Sequence, residues 1–329
     1  VQDFDEDLIR ALQLDGRAQF STLADQLGVH RTLVAKRVQE LIETGEISIR
    51  AAVHPSALGM PVQVNLRLRV IGPTTHVFEE LLTRNDVVFL SEITGPQQVI
   101  VELWAADWET AARATRQIRA IPGVIEIQTS LYEQVIRRLR LSQDPRVPMH
   151  TFDDFDVELM ALLQEDGRYT FGELSRRLGR SASACRTRVM RLLDSNAMRI
   201  GAVRARRAAT SSLLAGVGIT LSGSETTAEA FEQRFVELPG IEFIARTMGT
   251  YSFIATISAR SIPHFAQLVR DIREQPGVMI VDTWVHAHIW AERYEWSLDR
   301  LPSWQGNTHT NERAHDASRT PPSLFPEIL

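Results

Sequence analysis

Two stretches of this sequence set hydroxyl, amide and basic side chains at helical spacing. They are Arg31, Thr32, Lys36, Arg37 and Gln39, then Ser181, Ser183, Arg186, Thr187, Arg188 and Arg191. Small hydroxyls near a helix start reach phosphates or base edges, and Arg or Lys a turn later pairs with phosphates or with guanine. Such a surface recognises nucleic acid and makes no covalent bonds. Bond-making chemistry finds little support elsewhere. Lys36 is the sole lysine and follows Val34-Ala35, which removes a phosphate-binding loop, and no dinucleotide fingerprint, zinc-protease motif or nucleophile elbow is present. The single Cys185 excludes an internal disulfide framework and a zinc site of paired thiolates. His286 and His288 share one face of a strand, yet no Cys or nearby acid completes a ligand set. No catalytic residue, metal or cofactor is expected, and the chain is not expected to be an enzyme.

The elements that must hold these side chains are short helices. A first helix spans about Asp5 to Leu14, stopped by Asp15-Gly16-Arg17 with Gly16 suited to a left-handed cap. Ser21 is expected to cap a second helix, Gly28 to make a tight turn, and a third helix to run from Arg31 to Thr44. At 100° per residue, Val34, Val38 and Leu41 bury together while Thr32, Lys36 and Gln39 face outward. An extended run, Glu46–Val53, follows as a wing. This is a helix-turn-helix pattern.

The pattern occurs twice. Asp15-Gly16-Arg17 recurs as Asp166-Gly167-Arg168, an offset of 151, and about a third of positions match between residues 5–49 and 156–200. Cys185 then takes the place of Val34 and reads as core. Farther along, Pro122-Gly123 meets Pro276-Gly277 at an offset of 154. The remainder of each copy alternates as strands broken by two helices, in the order β-α-β-β-α-β, which predicts a ferredoxin-like sheet with both helices on one side. The fold class is therefore α+β. Winged helix-turn-helix units are expected at 1–53 and 153–205, sheet domains at 54–137 and 206–299, a linker at 138–152 and a largely disordered tail at 300–329.

Such a sheet leaves one face bare. In the last strand Trp284, His286, His288 and Trp290 share it, and Tyr132 lies there in the first copy. These residues are expected at a dimer interface, formed when two sheets of one chain, or of two chains, pack together.

This order of parts closely resembles the Lrp/AsnC ("feast/famine") family of bacterial transcription regulators. The resemblance rests on Leu23-Ala24-Asp25-Gln26-Leu27-Gly28-Val29, Arg37-Val38-Gln39-Glu40-Leu41, Ile93-Thr94-Gly95, Met248-Gly249-Thr250-Tyr251 and the two Pro-Gly-Val turns. It covers nearly the whole chain, twice. It implies a homo-oligomeric, cytoplasmic regulator that binds double-stranded DNA at an imperfect palindrome and senses a small molecule, an amino acid or related metabolite, between its sheet domains. By position the effector contacts are Gly95, Gln97, Gln98, Gly249, Thr250, Tyr251 and Ser252. An acidic residue commonly follows the loop glycine in the family, and this chain has Gln98 and Ser252, so the usual partner of a free amino acid's ammonium group is missing. Siroheme decarboxylases share the two-part fold and stand as one alternative, a ligand sensor with little DNA binding as another. Their His/Arg- and Tyr-rich hairpin is replaced here by Glu92-Ile93-Thr94-Gly95 and Arg246-Thr247-Met248-Gly249, and the Tyr-His dipeptide of their last strand is missing.

A net charge of -5 and a pI near 6.0 argue at first against DNA. The charge is uneven, however: residues 1–60 carry -3 and residues 150–210 carry +3. The second unit is expected to supply more of the phosphate attraction. No apolar run reaches the roughly 18 residues of a membrane span, and the first residues lack a signal-peptide profile.

Overall fold

The computed structural model describes residues 2–138, 152–204, 213–223, 225–236, 238 and 240–292. The expected tail lies outside these residues, as does the expected linker apart from its two ends. In the first copy the elements are α1 (Gln2–Leu14), α2 (Phe20–Leu27), α3 (Arg31–Glu43), β1 (Ile47–Val53), β2 (Val62–Val70), α4 (Thr75–Leu82), β3 (Val87–Ile93), β4 (Val99–Ala105), α5 (Trp108–Arg119) and β5 (Val124–Arg138). In the second they are α6 (Asp154–Glu165), α7 (Phe171–Leu178), α8 (Ala182–Asp194), β6 (Met198–Arg204), β7 (Leu213–Leu221), α9 (Glu225–Val236), β8 (Ile241–Met248), β9 (Phe253–Ala259), α10 (Ile262–Arg273) and β10 (Val278–Glu292). The fold is α+β, a winged helix-turn-helix followed by a ferredoxin-like βαββαβ unit, written twice.

The two helical units form one body. Their wings pair antiparallel, Ile47 opposite Arg204 and Val53 opposite Met198. A single apolar core draws Leu8, Leu12, Val34 and Leu41 from one unit together with Leu159, Leu163, Cys185 and Leu192 from the other. The repeated Asp-Gly-Arg triplets close this joint. Gly16 N–H donates to Ile200 O at 2.8 Å, and Gly167 N–H to Ile49 O at 2.7 Å. Arg17 donates to Gly167 O and Tyr169 O and lies over the Phe171 ring; Arg168 donates to Ala18 O and lies over Phe20. Desolvation lowers the pKa of both guanidiniums.

Two expectations about helix ends are corrected. Gly16 is no left-handed cap; it is needed because a Cβ there would come within 2.8 Å of Ile49 and 3.0 Å of the Gly201 backbone. Ser21 is not a cap either, since α2 begins at Phe20 with Gln19 at its N-cap and no side-chain cap bond. In the second copy Thr170 occupies the place of Gln19 and forms a reciprocal capping box with Glu173.

The eight strands of the two ferredoxin-like units close into a barrel, β10-β3-β4-β2-β5-β8-β9-β7. The last strand of each copy pairs with the second strand of the other: β5 with β8 and β10 with β3. The bare faces thus meet inside one chain. Helices cover the outside, where Val77, Phe78, Leu81 and Ile118 pack on β2–β4, and Phe231, Phe235, Leu268 and Ile272 on β7–β9. Trp108 is 54% exposed at the start of α5, and Asp107 caps that helix by accepting from Thr110 N–H.

Against the other copy each long strand carries two register shifts, in β5 between Tyr132/Gln134 and Val135/Arg137, in β10 between His286/His288 and Ile289/Ala291. Each bulge interrupts the strict alternation of side chains. The ends of the strands therefore switch faces and enter the other copy's core. Ile136 joins the second core, and Ala291 the first, while Trp290 stacks on Phe78 at 4.8 Å. The expected shared face of Trp284, His286, His288 and Trp290 is corrected accordingly. Trp284 and Tyr132 are buried between the sheets, His286 Nδ1 bonds Ser91 Oγ at 2.9 Å there, His288 is exposed, and Trp290 faces α4. These residues line a joint within the chain rather than a surface offered to a second chain.

Candidate nucleic-acid interface

The outward faces of α3 and α8 sort the expected DNA contacts into two groups. Arg31, Thr32, Lys36 and Gln39 are exposed on α3, and Ser183, Arg186 and Thr187 on α8. Lys36 lies 3.7 Å from Glu40, and Gln39 donates to Glu43 at 2.9 Å, both weak exposed contacts that a phosphate or base edge can displace. Arg186 makes no ion pair among the described residues. Ser181 is the N-cap of α8, its Oγ accepting from Ala184 N–H.

The second group, Arg37, Arg188 and the exposed Arg191, is anchored by ion pairs. Arg37 forms a two-point ion pair with Asp5, both N···O distances being 2.8 Å, and pairs with Glu40 as well. These bonds raise its pKa. Arg188 pairs with Asp153 at 2.7 Å and with Asp156 at 3.0 Å, and Arg191 also reaches Asp156, which is 1% exposed. Bonding to Asp153 likewise raises the pKa of Arg188. The guanidiniums of Arg37, Arg188 and Arg191 thus also tie the reading helix to the first helix of its own unit.

Beside the expected readers the structure places Phe155, Arg180 and Leu33, which the sequence pattern did not single out. A groove of about 610 Å³ beside α8 is lined by Phe155, Arg180, Ser183, Thr187 and Arg188. Arg180 and Arg188 lie 5.7 and 5.6 Å from the Phe155 ring. Leu33 on α3 and Met190 on α8 are 47% and 44% exposed among the polar readers. An apolar residue on a polar helix face was the available cue for Leu33.

The expected effector contacts are largely occupied by the protein itself. Gln98 Oε1 accepts from Val70 N–H at 2.9 Å, and Ser252 Oγ from Leu221 N–H at 3.1 Å, the same contact in each copy. Both side chains secure the end of a strand. Gly95 and Thr250 are exposed and Gln97 is buried. Gly249 approaches β5 so closely that a Cβ would lie 2.6 Å from Thr129 O. Tyr251 projects between the sheets, 5% exposed. Its hydroxyl accepts from Arg67 at 2.7 Å and donates to Asp282 at 2.8 Å, and burial pushes its pKa up.

Arg67, 7% exposed, is the hub of this interior. It bonds Gln128 at 2.6 Å and sits 4.8 Å from the Tyr251 ring and 4.7 Å from that of Trp284. Opposite, β7 is bare. A Cβ at Gly216 would fall 1.9 Å from Trp284, and one at Gly218 2.5 Å from Tyr251. One copy supplies the cation and the other the aromatic rings, with glycines behind them. Among the described residues no group of three metal-binding side chains gathers, and no helix is long and apolar enough to cross a membrane.

Comparison with known proteins follows the same division. The AsnC-type helix-turn-helix domain matches residues 3–42 and 152–193, and the Lrp/AsnC ligand binding domain matches residues 214–295. The HTH-type transcriptional regulator FL11 of Pyrococcus abyssi is 26% identical over 38% of this chain and 83% of its own. The glutamate uptake regulatory protein of Zymomonas mobilis is 29% identical over 36% of this chain and 74% of its own. Each such relative is about one copy long. Over the whole chain, the fold is shared with crystal structures of the siroheme decarboxylase NirDL, one of them with an iron-uroporphyrin III analogue. Both have a TM-score of 0.59, at 14–15% identity, and they cover 88–91% of this chain and 92–98% of theirs. The expectation that the chain is no enzyme is corrected by that finding, because a duplicated fold of this kind is the scaffold of a decarboxylase. In its two helix-turn-helix domains and its ligand-binding domain, nonetheless, the chain belongs to the Lrp/AsnC family of transcription regulators, with the family's helix-turn-helix matched twice.

Proposed function

We propose that the chain is a sequence-specific DNA-binding regulator whose two reading helices enter successive major grooves, and whose barrel responds to a small metabolite. The observation that supports this is the fusion of both winged units through paired wings and one core, which holds α3 and α8 in a single body. The positive charge of residues 150–210 supports the second unit as the stronger phosphate binder. Tyr251 and the strand-end bonds of Gln98 and Ser252 occupy the expected loop contacts, so the effector is not recognised through an ammonium-binding carboxylate at these loops.

The test is a salt titration of DNA binding. Arg186→Ala should weaken binding at the preferred sequence, and Lys36→Ala, which removes an exposed cation, should reduce the slope of log affinity against log salt by about one. Arg191→Ala should change the slope less, because that side chain is held by Asp156. An unchanged slope for Lys36→Ala together with unweakened binding for Arg186→Ala sinks the assignment.

A second reading, tetrapyrrole decarboxylation, is favoured by the fold shared along 88–91% of the chain. Titration with an iron tetrapyrrole, followed by absorption and by loss of carboxyl groups in the product, decides it. A shifted spectrum with product formation would establish that reading; no shift would remove it.

A further inference from the structure

The two readers share a scaffold and differ in what they display. At the offset of 151, the buried residues of α3 and α8 coincide in kind: Val34 with Cys185, Val38 with Val189 and Leu41 with Leu192. The ion pair that docks the helix is also duplicated, Arg37 on Asp5 and Arg188 on Asp156. The outward positions are not. Leu33 stands where the second copy has Ala184, Ala35 where it has Arg186, Lys36 where it has Thr187, and Gln39 where it has Met190.

Resting on the DNA-binding reading above, we infer that this chain recognises two different half-sites in fixed order, not a palindrome. Major-groove chemistry assigns the difference. Arg186 suits the N7 and O6 acceptors of guanine, and the exposed Met190 suits a thymine methyl. On α3, Gln39 suits adenine and the exposed Leu33 a thymine methyl, while Ala35 offers nothing to guanine. A dimer of identical chains repeats one reader twice. A fused pair is free of that constraint, and here every outward difference lies on a helix whose buried face has stayed the same.

Selection of bound sequences from a randomised duplex library, using the full chain, tests this. The expected result is two unlike half-motifs at constant spacing and orientation, with a guanine in one half that has no mirror counterpart in the other. Arg186→Ala, an exposed change, should lower preference at that guanine alone by about tenfold or more. Ala35→Arg should create a guanine requirement at the mirrored position of the other half. A palindrome recovered by the unaltered chain overturns the inference, as does a change in both halves from either substitution. DNA retained at low salt without any enriched motif also overturns it, yet leaves DNA binding standing. No DNA retained at any salt overturns the DNA-binding reading itself.

Discussion

At the scale of single residues, one carboxylate and one phenol hold more than their surroundings suggest. Asp156 is 1% exposed and anchors both Arg188 and Arg191. Asp156→Ala removes the shared partner of two guanidiniums that remain partly solvated, so the loss should be about 1–3 kcal/mol, below that of a fully buried pair. Urea denaturation measures it. Tyr251 supports a pH prediction. Its folded pKa is raised above the ordinary phenol value of 10.0, chiefly by burial. The contribution is therefore whole below pH 10.0, falls as the unfolded phenol ionises, and is gone once the pH passes the folded value. Tyr251→Phe should lower stability at neutral pH by about 1–3 kcal/mol. It should also unfold with a shallower alkaline decline than the unaltered chain; parallel declines would refute the role of this phenol. The inward turn of Arg37 and Arg188 was only half legible in the sequence. An arginine on the flank of a helix reaches either DNA or a neighbouring acid, and spacing does not choose between them. The recurrence of Asp5 as Asp156 at the same offset was the available cue.

At the scale of elements, periodicity was a good guide and irregularity was not. The wing Met198–Arg204 and the strand Ile241–Met248 fall where alternation puts them. The bulges of β5 and β10 do not announce themselves, because a bulge depends on the partner strand and its residue types are ordinary. They move Trp290 to the opposite face, a place no count of every second residue predicts. Glycines on β7 carry the converse lesson. In the sequence Gly216 and Gly218 weaken a strand; in the barrel they make room for two rings. Gly216→Ala should displace Trp284 and cost about 1–3 kcal/mol, or more if the strand cannot shift. Thermal denaturation reads the cost, and an unchanged melting temperature would mean that the indole does not rest on this glycine.

At the scale of the molecule, duplication was the most legible feature, since two offsets align nearly everything. Which sheet edges meet was left open between one chain and two, because strand order between copies has no local signature. The joint core of the helical units makes a prediction that separate domains would not. Leu12→Ala, a loss of about 2–5 kcal/mol at a fully buried site, should raise amide exchange in α8 and β6 along with α3. Exchange confined to the first unit would show that the two unfold independently.

The seams β5–β8 and β10–β3 have one more consequence. Separate subunits must find each other by collision, so the active pair becomes scarce with the square of dilution. Here the partner is always attached, and the effective concentration of one half about the other is set by the chain and not by expression. Occupancy of a DNA site should then rise with the first power of protein concentration, so a few copies suffice for a proportionate response.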